Sequence, residues 1–475
     1  MVDTIMIGRL GESCVAAVGI CSQISSLFFS CYWGFASASI LFFSQYWGAD
    51  DEKGINRPFG ITFFCMAIVG FALASLCIIR PEFLLGVYTD KEVFIRIGKP
   101  YMRIVGWAYP LQVFAVLISF LLRSTERVKA PLICSIVGLV VNFCLNFVLI
   151  YGKFGAPKMG AAGAAVGTLA SAIINLLLLF IYLMRSECKV RIRLSQMFLV
   201  HGGFIKVYLS NAFPILCNEL FYGIGQMLIN IVIGHQNESA IAAMAAFRVC
   251  EGFVYAFFGW IWEACYVSVR NKRGVNRGFL NGPFLPIYGL SNATSVVIGQ
   301  SVGAGDHKGA YRFMKRSALF CPAVTFGIVL ICSLLHEPLF GLFGLGDQAL
   351  RYGMYMLYIY LFFGAVRTCN YIMNEGYRAA GETRVGTYVE IGGLFLVSVP
   401  ATWIAGMVLH LPFLAVFSFV YTDELVRLAI ELVYTRSGKW VKPVTEAGRK
   451  TLPEFKDWLK NRNNRKRNAT SITNN

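Results

Sequence analysis

The chain has 475 residues, of which 56% are hydrophobic and 15% are charged, with a mean hydropathy of +0.59 and a formal net charge of +17. A soluble protein could not bury this much apolar surface in its core and still expose a polar surface to water. The composition therefore excludes a soluble protein and predicts an all-α membrane protein. The 14 cysteines contain no Cys-x-x-Cys pattern, so they indicate neither a disulfide framework nor a metal site.

Apolar runs long enough to cross a bilayer recur along the chain, each bounded by glycine, proline or charge. At about 20 residues per crossing, they predict membrane-spanning helices. In chain order the runs are 12–46, 58–80, 98–122, 131–151, 160–184, 204–233, 240–303, 312–335, 349–377, 385–409 and 411–435. The first run and the interrupted run 240–303 exceed one bilayer thickness, so we expect long or tilted helices there.

Lysine and arginine concentrate in alternate loops, and the intervening loops are poor in both. This alternation is the positive-inside pattern, so we expect the basic loops on the cytosolic side of the cytoplasmic membrane. The same reasoning predicts a cytosolic tail at 436–475 that is solvated or faces lipid headgroups. The positive charge is thereby explained without nucleic acid.

The chain contains one apolar unit twice. Residues 35–57 align without a gap with residues 290–312, at an offset of 255. The alignment pairs Gln45 with Gln300, Gly48 with Gly303, Lys53 with Lys308 and Arg57 with Arg312. A duplicated unit of this size is typical of two-lobed secondary transporters, whose lobes are related by a pseudo-two-fold axis along the membrane normal. We expect six-helix lobes at 1–185 and 204–435, joined by a cytosolic linker at 186–203.

Two features depart from the repeat. Upstream, Gly8 pairs with Gly234 at an offset of only 226, so the second copy carries an extra segment at 260–288. The basic residues of that segment are costly at membrane depth, so we expect it to loop out of the eighth helix and to obstruct transport. The first copy lacks a counterpart of residues 204–228, so we expect its first helix to be incomplete.

Several motifs recur in order at the duplicated spacing. They are Val2-Asp3-Thr4-Ile-Met-Ile-Gly8, Gly299-Gln-Ser-Val-Gly-Ala-Gly-Asp306, and the turns Arg123-Ser-Thr-Glu-Arg127 and Arg378-Ala-Ala-Gly-Glu-Thr-Arg384. Over about residues 1–435, except the extra segment, this pattern resembles the multidrug and toxic compound extrusion (MATE) family. The resemblance implies twelve helices in two bundles, a cleft that opens inward or outward, and export of organic cations in exchange for sodium ions or protons.

Charged side chains inside the expected spans are candidates for function, because a carboxylate in hydrocarbon usually faces a cavity and binds an ion, a proton or a partner. The resemblance matches Asp3 to an acidic residue implicated in cation coupling. The alternative interpretation is that Asp3 is an N-terminal residue that simply reaches water. Family members often carry a glutamate at the position of Glu219, which is otherwise a carboxyl hydrogen-bonded to a neighbouring helix. Asp3 and Glu219 are therefore the expected cation-coupling or substrate residues.

Arg248 and Glu251 stand three residues apart, so we expect them on one helix face, where they can neutralise each other. A cavity-lining or relay role remains open for both. Asn142 and Asn218 are further cavity candidates, although Asn142, four residues before Asn146, has the spacing of an interhelical hydrogen-bonding pair.

These features favour a monomeric secondary antiporter that exports lipophilic organic cations in exchange for sodium ions or protons, without a cofactor or a metal beyond a transported sodium ion. Protonation or sodium binding at the acidic residues would favour one opening of the cleft, and proton and drug would compete for the same charge. One alternative is a flippase for lipid-linked precursors or polysaccharides, which needs a basic cavity where the central helices offer Arg248. Another is an inactive, degenerate transporter. An enzyme is not expected, because no His-Glu-x-x-His or phosphate-loop pattern occurs.

Overall fold

The computed structural model describes residues 6–7, 12–89, 91–184, 197, 202–252, 292–341 and 346–473. Within these ranges the regular structure is helical and there is no β-strand, which confirms the all-α prediction. Asp3, the extra segment 260–288 and most of the linker 186–203 lie outside the described residues.

The helices follow the apolar runs closely. In chain order they are α1 (Glu12–Gly48), α2 (Asn56–Ile79), α3 (Pro81–Gly86), α4 (Glu92–Ser124), α5 (Lys129–Tyr151), α6 (Ala161–Met184), α7 (Gly202–Gly234), α8 (238–252), α9 (Asn292–Gly303), α10 (His307–Leu334), α11 (His336–Gly341), α12 (Asp347–Ala379), α13 (Arg384–Gly393), α14 (Val399–Trp403), α15 (Phe413–Phe419), α16 (Thr422–Ser437) and α17 (Glu446–Thr473). Two π-helical turns, Leu394–Ser398 and Ile404–Val408, make 384–408 one continuous helix with α13 and α14.

Nine helices among the described residues are long and apolar enough to cross a membrane. The expected span 411–435 is not one unbroken helix, because α15 ends at Phe419 and α16 begins at Thr422. The two helices are separated at residues 420–421, and the first turn of α16 carries Asp423 and Glu424, whose side chains are buried in the protein.

The chain divides into two compact units, the first formed by residues 1–39 and 52–220 and the second by 40–51 and 221–475. In the first unit, α6 packs against α4 and α5. A Cβ atom at Gly163 of α6 would lie 2.8 Å from the carbonyl carbon of Leu149 in α5, so only glycine permits this approach. Small residues commonly allow such close helix packing in membranes.

The core of the second unit is rich in aromatic rings. Phe247 of α8 makes edge-to-face contacts with Tyr360 of α12 and Phe417 of α15, each with ring centroids 5.2 Å apart. Such pairs add specific geometry to the burial of apolar area. They fix α8, α12 and α15 around the charged side chains described below.

The duplicated glutamine and glycine residues meet each other in the second unit, which includes the end of α1. A Cβ atom at Gly48 would lie 2.0 Å from the carbonyl oxygen of Gln300, and one at Gly303 would lie 2.0 Å from the carbonyl oxygen of Gln45. The contact is therefore reciprocal, as expected for repeat-related positions. Both glycines are required because two helix backbones touch there.

The C-terminal tail differs from the expected solvated segment. Trp440 is fully buried, and Phe455 and Leu459 are 2% and 7% exposed in a cluster with residues of α9, α10 and α12. The amide of Val444 donates to the side-chain oxygen of Gln45 over 2.8 Å. The sequence did not predict this packing, because average composition hides these apolar residues among the charges of the tail, and charged residues such as Lys450 and Lys456 remain exposed.

Candidate functional site: a charged cavity in the second unit

A narrow cavity of about 30 Å³ lies in the second unit, with room for about two water molecules. Its walls come from α7, α8, α12, the helix 384–408 and the junction of α15 with α16. The lining residues are Tyr222, Gln226, Arg248, Glu251, Arg367, Glu390, Leu394, Val420, Tyr421, Asp423, Glu424 and Arg427. Seven of these are charged, so the cavity is polar although it lies among apolar helices.

Arg367 of α12 is held by acidic and aromatic groups at this cavity. Its Nη1 lies 2.5 Å from Oε1 of Glu251, and its Nε lies 3.7 Å from Oε1 of Glu424. Its Nη2 donates to the hydroxyl of Tyr222 over 2.9 Å, and the guanidinium lies 5.8 Å from the ring centroid of Tyr421. Carboxylates, a phenol hydroxyl and an aromatic face thus surround one positive charge at this cavity.

The expected neutralisation of Glu251 by Arg248 does not occur. Glu251 pairs with Arg367 instead, while Nη2 of Arg248 donates to Oδ1 of Asn230 on α7 over 2.8 Å. Residues three apart share a helix face, but side chains from neighbouring helices, Arg367 of α12 and Asn230 of α7, supply the partners here. Both residues nevertheless line the cavity, one of the roles left open by the sequence.

Arg427 of α16 is surrounded by carboxylates. Its guanidinium nitrogens lie 3.5 Å from Glu390 and Glu424, 3.8 Å from Asp423 and 3.9 Å from Glu431. Three of the four acids come from α16 itself, because residues three and four apart share one face of a helix. Glu390 comes from the helix packed opposite.

A third arginine continues the network away from the cavity. Arg378 of α12 lies 3.0 Å from Glu375 and 3.6 Å from Glu390. The amide of Asn374 donates to Oε2 of Glu390 over 2.6 Å. Through Glu390, the ion pairs of Arg378 and Arg427 form one connected network.

The irregular backbone of two helices positions part of this site. Where α15 and α16 are separated, the Ser398 hydroxyl of the π-helical turn lies 3.0 Å from the carbonyl oxygen of Val420 and 2.5 Å from Oδ1 of Asp423. A π-helical turn often marks a functional position in a helix. Here it places Leu394 in the cavity wall.

Three of the other expected site residues, Glu219, Asn218 and Asn142, lie in the first unit. Glu219 is half-buried on α7, and Asn218 beside it is 2% exposed. Asn142 accepts from Asn146 over 3.1 Å and lies 3.5 Å from the hydroxyl of Thr168, which links α5 to α6. Asn142 thus makes one contact between helices, to Thr168, as its spacing favours, while its bond from Asn146 lies within α5.

Sequence reasoning missed most of the charged network, namely Arg367, Glu375, Arg378, Glu390, Asp423, Glu424, Arg427 and Glu431. The signal was present in the chain, because nearly all of these charges fall inside the apolar runs 349–377, 385–409 and 411–435. The helical spacing of the last four also indicates one charged face. The rule that selected Arg248 and Glu251 applies equally to them.

Comparison with known proteins places the chain among membrane transporters. It is similar to the "Uncharacterized transporter YisQ" of Bacillus subtilis, with 20% identity over 440 residues that cover 93% of this chain and 90% of the relative. It is also similar to the "Probable multidrug resistance protein NorM" of Thermotoga maritima, with 22% identity over 450 residues that cover 93% and 89%.

Solved structures agree on the fold. A MATE protein crystallised in complex with MaL6 superposes with a TM-score of 0.76 at 16% identity, covering 92% of this chain and 90% of the other. A MOP superfamily transporter from Pyrococcus furiosus, described as having a binding pocket of reverse polarity, gives 0.74 at 16% identity with the same coverage. The MatE family model matches residues 1–148 and 275–404, which together are more than half of the chain. The chain therefore belongs to the MatE family of multi-pass membrane transporters.

Proposed function

We propose that this transporter is a secondary antiporter that exports lipophilic organic cations in exchange for sodium ions or protons. The observation that carries the proposal is the excess of carboxylates in the buried network of the second unit, because uncompensated negative charge inside a membrane protein binds cations or protons. The names of the similar NorM proteins, which denote multidrug resistance, support the choice of drug-like substrates.

The size of the cavity suggests which ligand it serves. Room for about two water molecules fits a proton or a small hydrated ion, not a drug. We therefore assign the cavity of the second unit to coupling. Glu219, and Asp3 outside the described residues, stay the proposed carboxylates that attract the coupling ion or the organic cation.

Orientation follows from the loop charges. We propose that the basic loops and the C-terminal tail face the cytosol of a cell whose cytoplasmic membrane holds the protein. Export then requires the drug to enter from the side of the basic loops.

A flippase for phosphate-bearing lipids is the second candidate, since three arginines line the cavity. Arg367 and Arg427 each lie near at least two carboxylates, and Arg248 donates to an asparagine. Guanidiniums already matched by carboxylates do not form a site for phosphate. The network therefore favours cations over anionic lipids.

The test uses the purified full chain in proteoliposomes loaded with ethidium, under an imposed sodium or proton gradient. We expect ethidium movement that depends on one of the two gradients, and loss of that movement in Glu219→Gln. Glu337→Gln, at an exposed glutamate on α11, is the matched control and should transport normally. Absence of movement under both gradients would refute the proposal and favour an inactive transporter, and wild-type rates in Glu219→Gln would show that Glu219 is structural only.

A further inference from the structure

The buried network of the second unit contains more carboxylates than arginines. Its ion pairs connect three arginines with six acids: Arg367, Arg378 and Arg427 with Glu251, Glu375, Glu390, Asp423, Glu424 and Glu431. Every one of these side chains is less than a quarter exposed. Even if Arg248 is included, acids remain in excess among the described residues. Carboxylates that share such a site cannot all be ionised together.

Glu431 is the member of the network with the poorest partners. Each of the other five acids accepts a hydrogen bond of 3.1 Å or shorter. Neither carboxylate oxygen of Glu431 has a hydrogen-bond partner among the described residues, although its side chain is only 1% exposed. Its contact with Nε of Arg427, at 3.9 Å, is too long for a hydrogen bond.

The surroundings of Glu431 do not compensate a further negative charge. Arg427 and Glu424 act on it from α16, Arg378 from α12 and Glu390 from the helix 384–408. The two guanidiniums are thus already matched by two carboxylates. The other titratable neighbours are Cys369 and Tyr377 of α12, and the Tyr377 hydroxyl donates to the backbone carbonyl of Glu431, not to its carboxylate.

An ionised carboxylate without a hydrogen-bond donor is among the most costly groups to bury, and a protonated carboxyl removes that cost. We propose that Glu431 holds a proton at neutral pH and is the proton-binding site of the second unit. The proton reaches the cavity through Glu390 or Glu424, which line it and share Arg427 with Glu431. When the proton leaves, the carboxylate that remains has Arg427 as its ion-pair partner, with Nε at 3.9 Å. The inference rests on the proposed antiport and identifies the proton as a coupling ion.

The experiment measures protonation directly, by infrared spectroscopy of the purified full chain in lipid nanodiscs at neutral pH. The carbonyl stretch of a protonated carboxylic acid is separate from the carboxylate bands and shifts in heavy water. We expect this band in the wild type and in the control Glu337→Gln, and loss of a component of it in Glu431→Gln. Because a carboxamide has nearly the size and shape of a neutral carboxyl, Glu431→Gln should also reach wild-type membrane yield.

Three outcomes would overturn the proposal: no protonated-acid band in the wild type, an unchanged band in Glu431→Gln, or loss of folding in Glu431→Gln while Glu337→Gln folds. The last outcome would mean that an ionised Glu431 is required by the structure. Infrared detection needs neither substrate nor transport, so it separates the two proposals. Ethidium antiport with an unchanged band would refute only the proton site, and a lost band without antiport would refute only the proposed function.

Discussion

Removing Arg367 tests whether the charged cavity is organised by the partners described above. Arg367→Gln leaves Glu251 and Glu424 without the guanidinium that lies 2.5 and 3.7 Å from them. Breaking one partner of a buried ion pair costs about 3–5 kcal/mol. The side chain of Arg367 is 23% exposed, so solvent screening places the expected loss near the lower limit, at about 3 kcal/mol.

The assay is thermal unfolding of the detergent-purified chain, followed by tryptophan fluorescence at a fixed scan rate, because membrane proteins often unfold irreversibly. At about 2 °C per kcal/mol, the low end for large domains, Arg367→Gln should lower Tm by about 6 °C. Glu251→Gln should lower it less, because Arg367 keeps Glu424. The double variant should lower Tm by less than the sum of the two single-variant effects, which corresponds to a coupling energy of about 0.5–3 kcal/mol.

The matched control is the cycle of Arg248→Gln with Glu251→Gln. These residues share a helix face, but Arg248 donates to Asn230, so their effects on Tm should simply add. Two results would refute the arrangement of partners. One is that the effects of the Arg367 and Glu251 variants on Tm simply add, and the other is that the Arg248 and Glu251 variants show a coupling energy of about 0.5–3 kcal/mol.

Two further predictions concern the glycine contact between the repeats and the tail. Gly48→Ala should lower Tm and membrane yield, because the added Cβ would lie 2.0 Å from the carbonyl oxygen of Gln300. The control Gly327→Ala should lower neither, because a Cβ there would have no atom within 4 Å. Equal behaviour of the two variants would contradict the contact. Burial alone would raise the pKa of Glu382, but the hydrogen bond and charge of Lys442 from the tail hold that pKa below its ordinary value. The resulting stability is therefore present above the unfolded pKa of about 4.3 and is lost as pH falls through the folded pKa. Glu382→Gln should flatten the dependence of Tm on pH on the acid side, and an unchanged slope would exclude this linkage.

The sequence by itself determined the membrane class, the order of the helices and the internal duplication. Each depends on local information: a run of about 20 apolar residues defines a span wherever it occurs. The ends of α2, α5 and α6 lie within a few residues of those expected. The pairing of Gln45 with Gln300 and of Gly48 with Gly303 likewise needed only their spacing in the sequence, and in the structure each glycine lies against the backbone of the glutamine from the other copy.

The sequence placed Arg248 and Glu251 at a buried site, but it did not identify the partner of Glu251. That partner, Arg367, is 116 residues away along the chain, and no spacing rule connects them. The tail shows the same limit, because Trp440 becomes a core residue only when α9, α10 and α12 supply the surface that covers it.

Only the tertiary structure decided which charges are neutralised. The sequence shows that a carboxylate lies inside an expected membrane span, but its final free energy depends on donors that arrive from other helices. Glu424 receives two such partners, the amide of Asn370 and the guanidinium of Arg367, whereas Glu431, seven residues later on the same helix, receives no hydrogen-bond donor among the described residues. Two glutamates that look alike in the sequence therefore differ in chemistry because α12 brings a donor within hydrogen-bonding distance of only one of them.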